Sequence, residues 1–108
     1  MKIINIHRTI NADELLALIE LKLDRLFKEQ RQTKIHFTNG IKEGAVEIYQ
    51  PELYDGFLFR IEIKGEELHI TRSEHYVDDV NSLTVESILN LLFEELAGEK
   101  GTTFILEG

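Results

Sequence analysis

Cysteine is absent from this chain of 108 residues, and proline occurs only once. Without a thiol the chain has no disulfide, no thiolate metal ligand and no cysteine nucleophile. No stretch approaches the roughly 18 consecutive apolar residues that a membrane-spanning helix needs. The first ten residues also lack the apolar core of a secretory signal peptide. These absences predict a cytoplasmic protein that does not bind a membrane.

Basic residues are scarce relative to acidic ones, 12 against 20, and the formal net charge is −8. Binding to a nucleic-acid backbone depends on lysine and arginine neutralising phosphates, so we expect no nucleic-acid partner. The acidic balance favours solubility and is also compatible with a basic protein partner or a nucleic-acid mimic. A mimic would need its carboxylates in spaced rows. Hydrophobic residues make up 43% of the chain, which predicts one folded domain spanning residues 1–108.

The clearest pattern in the chain is a β-hairpin in residues 56–77. Apolar residues alternate with mainly polar ones along residues 57–64, and the alternation resumes after Gly65 and Glu66. Glycine suits the first position of a two-residue type II′ turn, because that position requires a positive φ. The turn predicts the cross-strand pairs Ile63–Leu68 and Ile61–Ile70. The same alternation predicts that Phe57 and Phe59 point into the core and that Leu58 and Arg60 point outward.

Two amphipathic helices flank the predicted strands. Asn11 followed by Glu14 is typical of a helix N-cap with its capping box, so the first helix is expected over residues 12–32. Thr84 is predicted to cap a second helix, which ends at Gly98. Apolar residues at helical spacing predict the buried stripes. The first stripe contains Leu15, Leu16, Ile19, Leu23, Leu26 and Phe27, and the second contains Val85, Ile88, Leu89, Leu92 and Leu96.

The remaining strands are less sharply marked. Short β-branched runs predict a first strand at residues 2–7 and a last one at residues 102–106, and the last is expected to lie beside the first. Between the helix and the hairpin we predict strands at residues 34–38 and 45–50, joined by a wide loop over residues 39–44 that keeps Lys42 off the core face. The expected fold is therefore α+β: a four-stranded antiparallel meander with two helices packed on one face, and short terminal strands.

No catalytic or metal-binding motif is recognisable. The histidines His7, His36, His69 and His75 do not have the close spacing of metal ligands, and the Asp78–Ser82 segment lacks the glycine of a calcium loop. The glycines do not form a phosphate-binding loop, and the serines lack His-Asp companions. The sequence predicts no catalytic residue, no metal site and no cofactor.

The sheet face that points away from the helices is the best candidate for a binding surface. Tyrosine and arginine are enriched at interface hot spots. The candidate protein-binding residues are His36, Tyr49, Leu58, Arg60 and His69. We expect a small non-enzymatic interaction or regulatory protein that binds another protein through this face, or forms a homodimer. Leu58, Leu18, Leu21 and the terminal TTFIL run favour self-association. The alternative is a ligand-binding domain or enzyme with a cleft between helices and sheet.

Overall fold

The computed structural model describes residues 1–33, 35–74 and 80–106. A short 3₁₀ turn, Gly98–Lys100, precedes the last strand. In chain order the other elements are β1 (Lys2–Asn5), α1 (Ala12–Arg31), β2 (Thr38–Lys42), β3 (Ala45–Tyr49), β4 (Phe57–Lys64), β5 (Glu67–Arg72), α2 (Val80–Ala97) and β6 (Thr103–Leu106). The class is α+β with an antiparallel sheet, as predicted from the sequence.

All six strands form one antiparallel sheet in the order β2-β3-β4-β5-β1-β6. The sheet therefore has six strands where four were expected, and the predicted pairing of the two terminal strands with each other is confirmed. The meander β2 to β5 leaves the far edge of β5 open. There β1 pairs, and β6 then pairs with β1. Two short strands that look marginal in isolation are thus stabilised as extensions of a sheet that already exists.

The β4–β5 hairpin forms in the predicted register. Ile63 lies opposite Leu68 and Ile61 opposite Ile70. Gly65 has a φ of +62°, and Glu66 is not among the residues with positive φ. This combination is the one that a type II′ turn requires. Turn chemistry and apolar alternation agree here, and both predictions are confirmed.

A β-bulge at the start of β4 reverses the predicted orientation of Phe57 and Leu58. Ile48 pairs with Phe59 but Tyr49 pairs with Phe57, so one residue of β4 is unmatched. Directly opposed residues share a face of the sheet, which places Phe57 beside Tyr49, away from the helices. Leu58 is only 1% exposed and belongs to the hydrophobic core. The extra residue lets two successive apolar side chains enter the core.

Strand β2 lies later in the chain than predicted. It runs through Asn39 and Gly40, and its two-residue connection to β3 is Glu43-Gly44, with φ values of +53° and +80°. Two positive φ values indicate a type I′ turn. The predicted wide loop was wrong, and residues 35–37 precede the strand. Phe37 is nonetheless buried, with its ring centroid 5.2 Å from that of Phe27 in an edge-to-face contact.

Helix α1 begins where its capping signal predicts. The Asn11 side chain accepts a hydrogen bond of 2.8 Å from the backbone N–H of Glu14. The Glu14 carboxylate accepts one of 2.8 Å from Arg8. The helix buries the middle of its predicted stripe, with Leu16 and Leu26 partly buried beside it. Leu21 is 72% exposed, as expected for a residue off that stripe.

Helix α2 extends back to Val80, five residues before Val85, the first residue expected if Thr84 were the N-cap. Thr84 is therefore not its N-cap. The Thr84 hydroxyl lies inside the helix and donates a 2.7 Å hydrogen bond to the carbonyl of Val80. Threonine can satisfy its hydroxyl in this way when its side chain is buried. The predicted apolar stripe is buried in full, together with Phe93. Gly98 follows the helix with a φ of +69°, as expected of a residue that ends a helix. The segment before Val80, including His75 and Asp78, lies outside the described residues.

Candidate binding surface on the open face of the sheet

The open face of the sheet is the face directed away from the helices. The strand register places on it, among others, Ile3, Glu47, Tyr49, Phe57, Arg60, Glu62, Lys64, Glu67, His69 and Thr71. Three of the five candidate residues, Tyr49, Arg60 and His69, are therefore on one surface, as predicted. They come from β3, β4 and β5, the centre of the meander.

Glu47 is the most buried charged residue on the open face. It is 4% exposed, although no helix covers this side of its strand. The Tyr49 hydroxyl donates to one carboxylate oxygen and Arg60 donates to the other. Arg60 also donates a 3.3 Å hydrogen bond to the carbonyl of Lys42. Both carboxylate oxygens of Glu47 are thus satisfied, as a charge with so little access to water requires.

A second polar row crosses the face beside this cluster. His69 lies opposite Glu62, and its Nε2 is 3.0 Å from the carboxylate of Glu67. Lys64 lies opposite Glu67 on the neighbouring strand. Three cross-strand pairs on this face, Glu62–His69, Lys64–Glu67 and Glu47–Arg60, each place a basic or titratable group opposite a carboxylate. Such pairs stabilise a sheet and hold the side chains in defined positions.

The charges on the open face balance. Among the strand residues that the structure describes, Lys42, Arg60 and Lys64 lie there with three glutamates, so these charges sum to zero with histidine neutral. The whole chain has a net charge of −8. The described strand residues of the open face thus do not contribute to the acidic excess, and their carboxylates lie opposite basic groups instead of forming the uninterrupted rows that a nucleic-acid mimic would need.

Two of the predicted binding residues do not belong to this surface. Leu58 is in the core. His36 precedes β2, and its Nδ1 lies 2.6 Å from one carboxylate oxygen of Asp24 in α1. The other oxygen accepts a 3.1 Å hydrogen bond from the backbone N–H of Phe37. Through these two contacts Asp24 binds residues 36 and 37, which precede β2, to helix α1. The His36 side chain therefore contacts α1 and does not lie on the open face.

The described residues form no metal-binding cluster, and packed side chains fill the space between the helices and the sheet. Among them, no group of three or more histidine, aspartate or glutamate side chains is arranged to hold a metal ion. Twenty tightly packed residues fill the space between helices and sheet. Two grooves are present on outer helix surfaces. One lies along α2 between Leu83 and Glu94, and the other lies near Arg25 and Gln32 of α1. No described helix is both long and apolar enough to cross a membrane.

Sequence alternation missed one member of the surface, Phe57, and did not predict that another, Glu47, is buried. Phe57 was assigned to the core, and the bulge that moves it is not marked by any residue type. Glu47 was correctly assigned to the outward side of its strand, but its burial was not foreseen. The burial of Glu47 could be inferred only from its position opposite Arg60, which requires the β3–β4 register to be known.

No protein-family model, no curated protein and no solved structure matches this chain. Its function therefore has to be inferred from its own surfaces.

Proposed function

We propose that this chain is a small non-enzymatic interaction protein that binds another protein through the open face of its sheet. The observation that carries the proposal is the bonded cluster of Tyr49, Glu47 and Arg60 at the centre of that face. Tyrosine and arginine are the residue types that contribute most to protein interfaces. Their polar ends are already held in place, so little side-chain entropy remains to be lost when a partner binds.

The surroundings of the cluster also suit a protein partner. Phe57 is half-buried next to Tyr49, and Ile3 lies opposite His69 on the other side of the sheet centre. The face therefore combines apolar area with paired charges, the usual composition of a non-obligate interface. Because its charges sum to zero, an acidic partner is not repelled here as it is by the rest of the molecule. A cytoplasmic location accords with the absence of cysteine.

Affinity capture from native cytosol tests this proposal. Thr71 lies opposite Arg60 at the centre of the face and is half-exposed, so Thr71→Tyr should obstruct the face and remain compatible with a strand. Leu21→Tyr, on the exposed side of α1, is the matched control. We expect a partner protein that the wild type and the control retain and Thr71→Tyr loses. Failure to retain any protein, or equal retention by both variants, would count against the open face.

A further inference from the structure

Strand β6 is an apolar edge of the sheet that carries no charged side chain, and none of residues 1–33, 35–74 and 80–106 covers it. All four residues of β6 are exposed, and Phe104, Ile105 and Leu106 are each about half exposed. Sheet edges are usually protected by lysine, proline or inward charges, because their free backbone groups can pair with another strand. Residues 103–106 contain no lysine, proline or inward charge, and the protection of β6 is limited to its short length and a bulge that leaves Ile105 unmatched with β1. The opposite edge strand, β2, contains Lys42 and the flexible Asn39-Gly40 pair.

The helix layer is too narrow to cover this end of the sheet. Five spacings of about 4.8 Å make the six strands roughly 24 Å wide, whereas two helices at about 10 Å each cover about 20 Å. Helix α1 contacts β2 and β3 at the far edge. Phe104 lies opposite the core residue Ile4 and so points to the helix side of the sheet, yet it is 55% exposed. The ammonium group of Lys2 lies over its ring, 4.9 Å from the centroid.

The apolar surface continues from β6 onto α2. Asn90 of α2 accepts a 2.9 Å hydrogen bond from Lys2, the residue that lies over Phe104. Asn90 also lines a groove of about 380 Å³ on the helix, with Leu83 and Leu91. Five of the ten exposed large apolar residues in the described chain lie on β6 or on α2: Leu83, Leu91, Phe104, Ile105 and Leu106. Leu106 pairs with Ile3 and so points to the open face of the sheet, whereas Phe104 points to the helix side.

The exposed apolar area of these residues is comparable to the apolar area that one partner buries in a protein interface. Half-exposed side chains of this size present on the order of 100 Å² each, so the five present about 500 Å² of apolar area, divided between the two sides of the β6 edge. A standard interface buries about 800 Å² per partner, and a little over half of it is apolar. Isolated apolar patches on monomers seldom exceed a few hundred Å² without a binding role.

We propose that two copies of this chain associate by antiparallel pairing of their β6 strands, which joins the two sheets into one twelve-stranded sheet. An antiparallel edge is complementary to itself, so one two-fold axis near Phe104 and Ile105 satisfies the backbone groups of both copies. The axis is perpendicular to the sheet, so both helix layers stay on the same side. The two α2 grooves then face each other across the seam. This inference uses the β6 edge and α2, and does not use the Tyr49, Glu47 and Arg60 cluster proposed to bind a partner.

Charge complementarity favours a second copy over an unrelated strand. Lys2 lies at the C-terminal end of β6, because its neighbour Ile3 pairs with Leu106. Glu94 lies at the N-terminal end, where its carboxylate accepts a hydrogen bond from Thr102. Antiparallel pairing brings the C-terminal end of one β6 beside the N-terminal end of the other. Lys2 of each copy therefore approaches Glu94 of the second copy, which counters the repulsion between two chains of charge −8.

Sedimentation equilibrium of the full chain at micromolar concentrations tests the proposal. We expect the wild type to form a dimer. Ile105→Lys adds a charge to an exposed position of β6 and should weaken the dimer at least about tenfold. Ile41→Lys, at a 41% exposed position on the opposite edge, is the matched control and should leave the dimer intact. Unchanged far-UV circular dichroism and denaturation midpoints show that both variants remain folded. A monomeric wild type, or a dimer dissociated by Ile41→Lys and not by Ile105→Lys, would overturn the proposal.

A charge exchange tests the two-fold arrangement itself. Lys2→Glu alone and Glu94→Lys alone each place like charges together across the seam and should weaken the dimer by about three- to tenfold at low salt. The double variant exchanges the two charges and should restore most of the wild-type affinity. An intact dimer in both single variants, or a double variant weaker than either, would refute antiparallel pairing of β6. A dimer dissociated by Thr71→Tyr alone would instead assign the contact to the open face.

Discussion

Replacement of Leu58 by alanine should destabilise the protein strongly, although simple alternation assigns this residue to the solvent side. The side chain is 1% exposed within the core, and the change removes about three methylene equivalents, each worth about 0.8 kcal/mol. The cavity left behind adds to the loss, so the expected cost is about 3 kcal/mol. That is a large part of the roughly 5–15 kcal/mol by which a domain of this kind is stable. The melting temperature should fall by at least about 10 °C.

Urea denaturation followed by circular dichroism measures this loss, with Leu21→Ala as the matched control. The control makes the same chemical change at a helix position that is 72% exposed, and its stability should stay within about 0.5 kcal/mol of the wild type. The backbone hydrogen bond from Ser73 to the carbonyl of Leu58 does not depend on the side chain. If Leu58→Ala were as stable as Leu21→Ala, the bulge at the start of β4 and the orientation inferred from it would be wrong.

Three further changes have defined outcomes in the same denaturation assay. Asn11→Ala removes the N-cap of α1 and should cost about 1 kcal/mol; an unchanged midpoint would contradict the cap. Glu43→Asn should stabilise by on the order of 0.5 kcal/mol, because asparagine tolerates the positive φ of this turn position better than glutamate; a loss of stability would refute the type I′ turn. Arg60→Met leaves the Glu47 carboxylate without its charged partner and should cost about 3 kcal/mol. Glu47→Gln in that background should recover part of the loss, and equal costs in both would exclude the ion pair as the cause.

Local signals were sufficient for the elements whose geometry depends on neighbouring residues. Gly65 specifies its turn because of the φ that the turn requires, and the turn then sets the register of Ile63 and Leu68. Asn11 specifies the start of α1 because its side chain satisfies a free backbone N–H within three residues. The buried stripes of both helices also follow from helical periodicity, since a helix repeats its faces independently of what covers them.

The same kind of signal failed where a distant part of the chain decides the outcome. Thr84 resembles an N-cap by residue type, but its buried position within α2 turns its hydroxyl back to Val80. The sequence interpretation kept Lys42 off the core by placing it in a wide loop. In the structure the turn is at Glu43-Gly44, and Lys42 is a strand residue whose side chain lies on the open face. Each of these local patterns was compatible with two structures, and the burial of neighbouring residues against other elements determined which one formed.

The candidate surface divides in the same way. The sequence by itself determined that Tyr49, Arg60 and His69 share a face, because strand alternation has a period of two and their strands follow one another in a meander. Only the tertiary structure decided that Leu58 enters the core and Phe57 leaves it, because a bulge depends on how β3 and β4 end together. It also decided that Glu47 is buried between Tyr49 and Arg60 and that β6 forms an uncovered edge. These features depend on which strands become neighbours, and residues far apart in the chain settle that only when the whole sheet assembles.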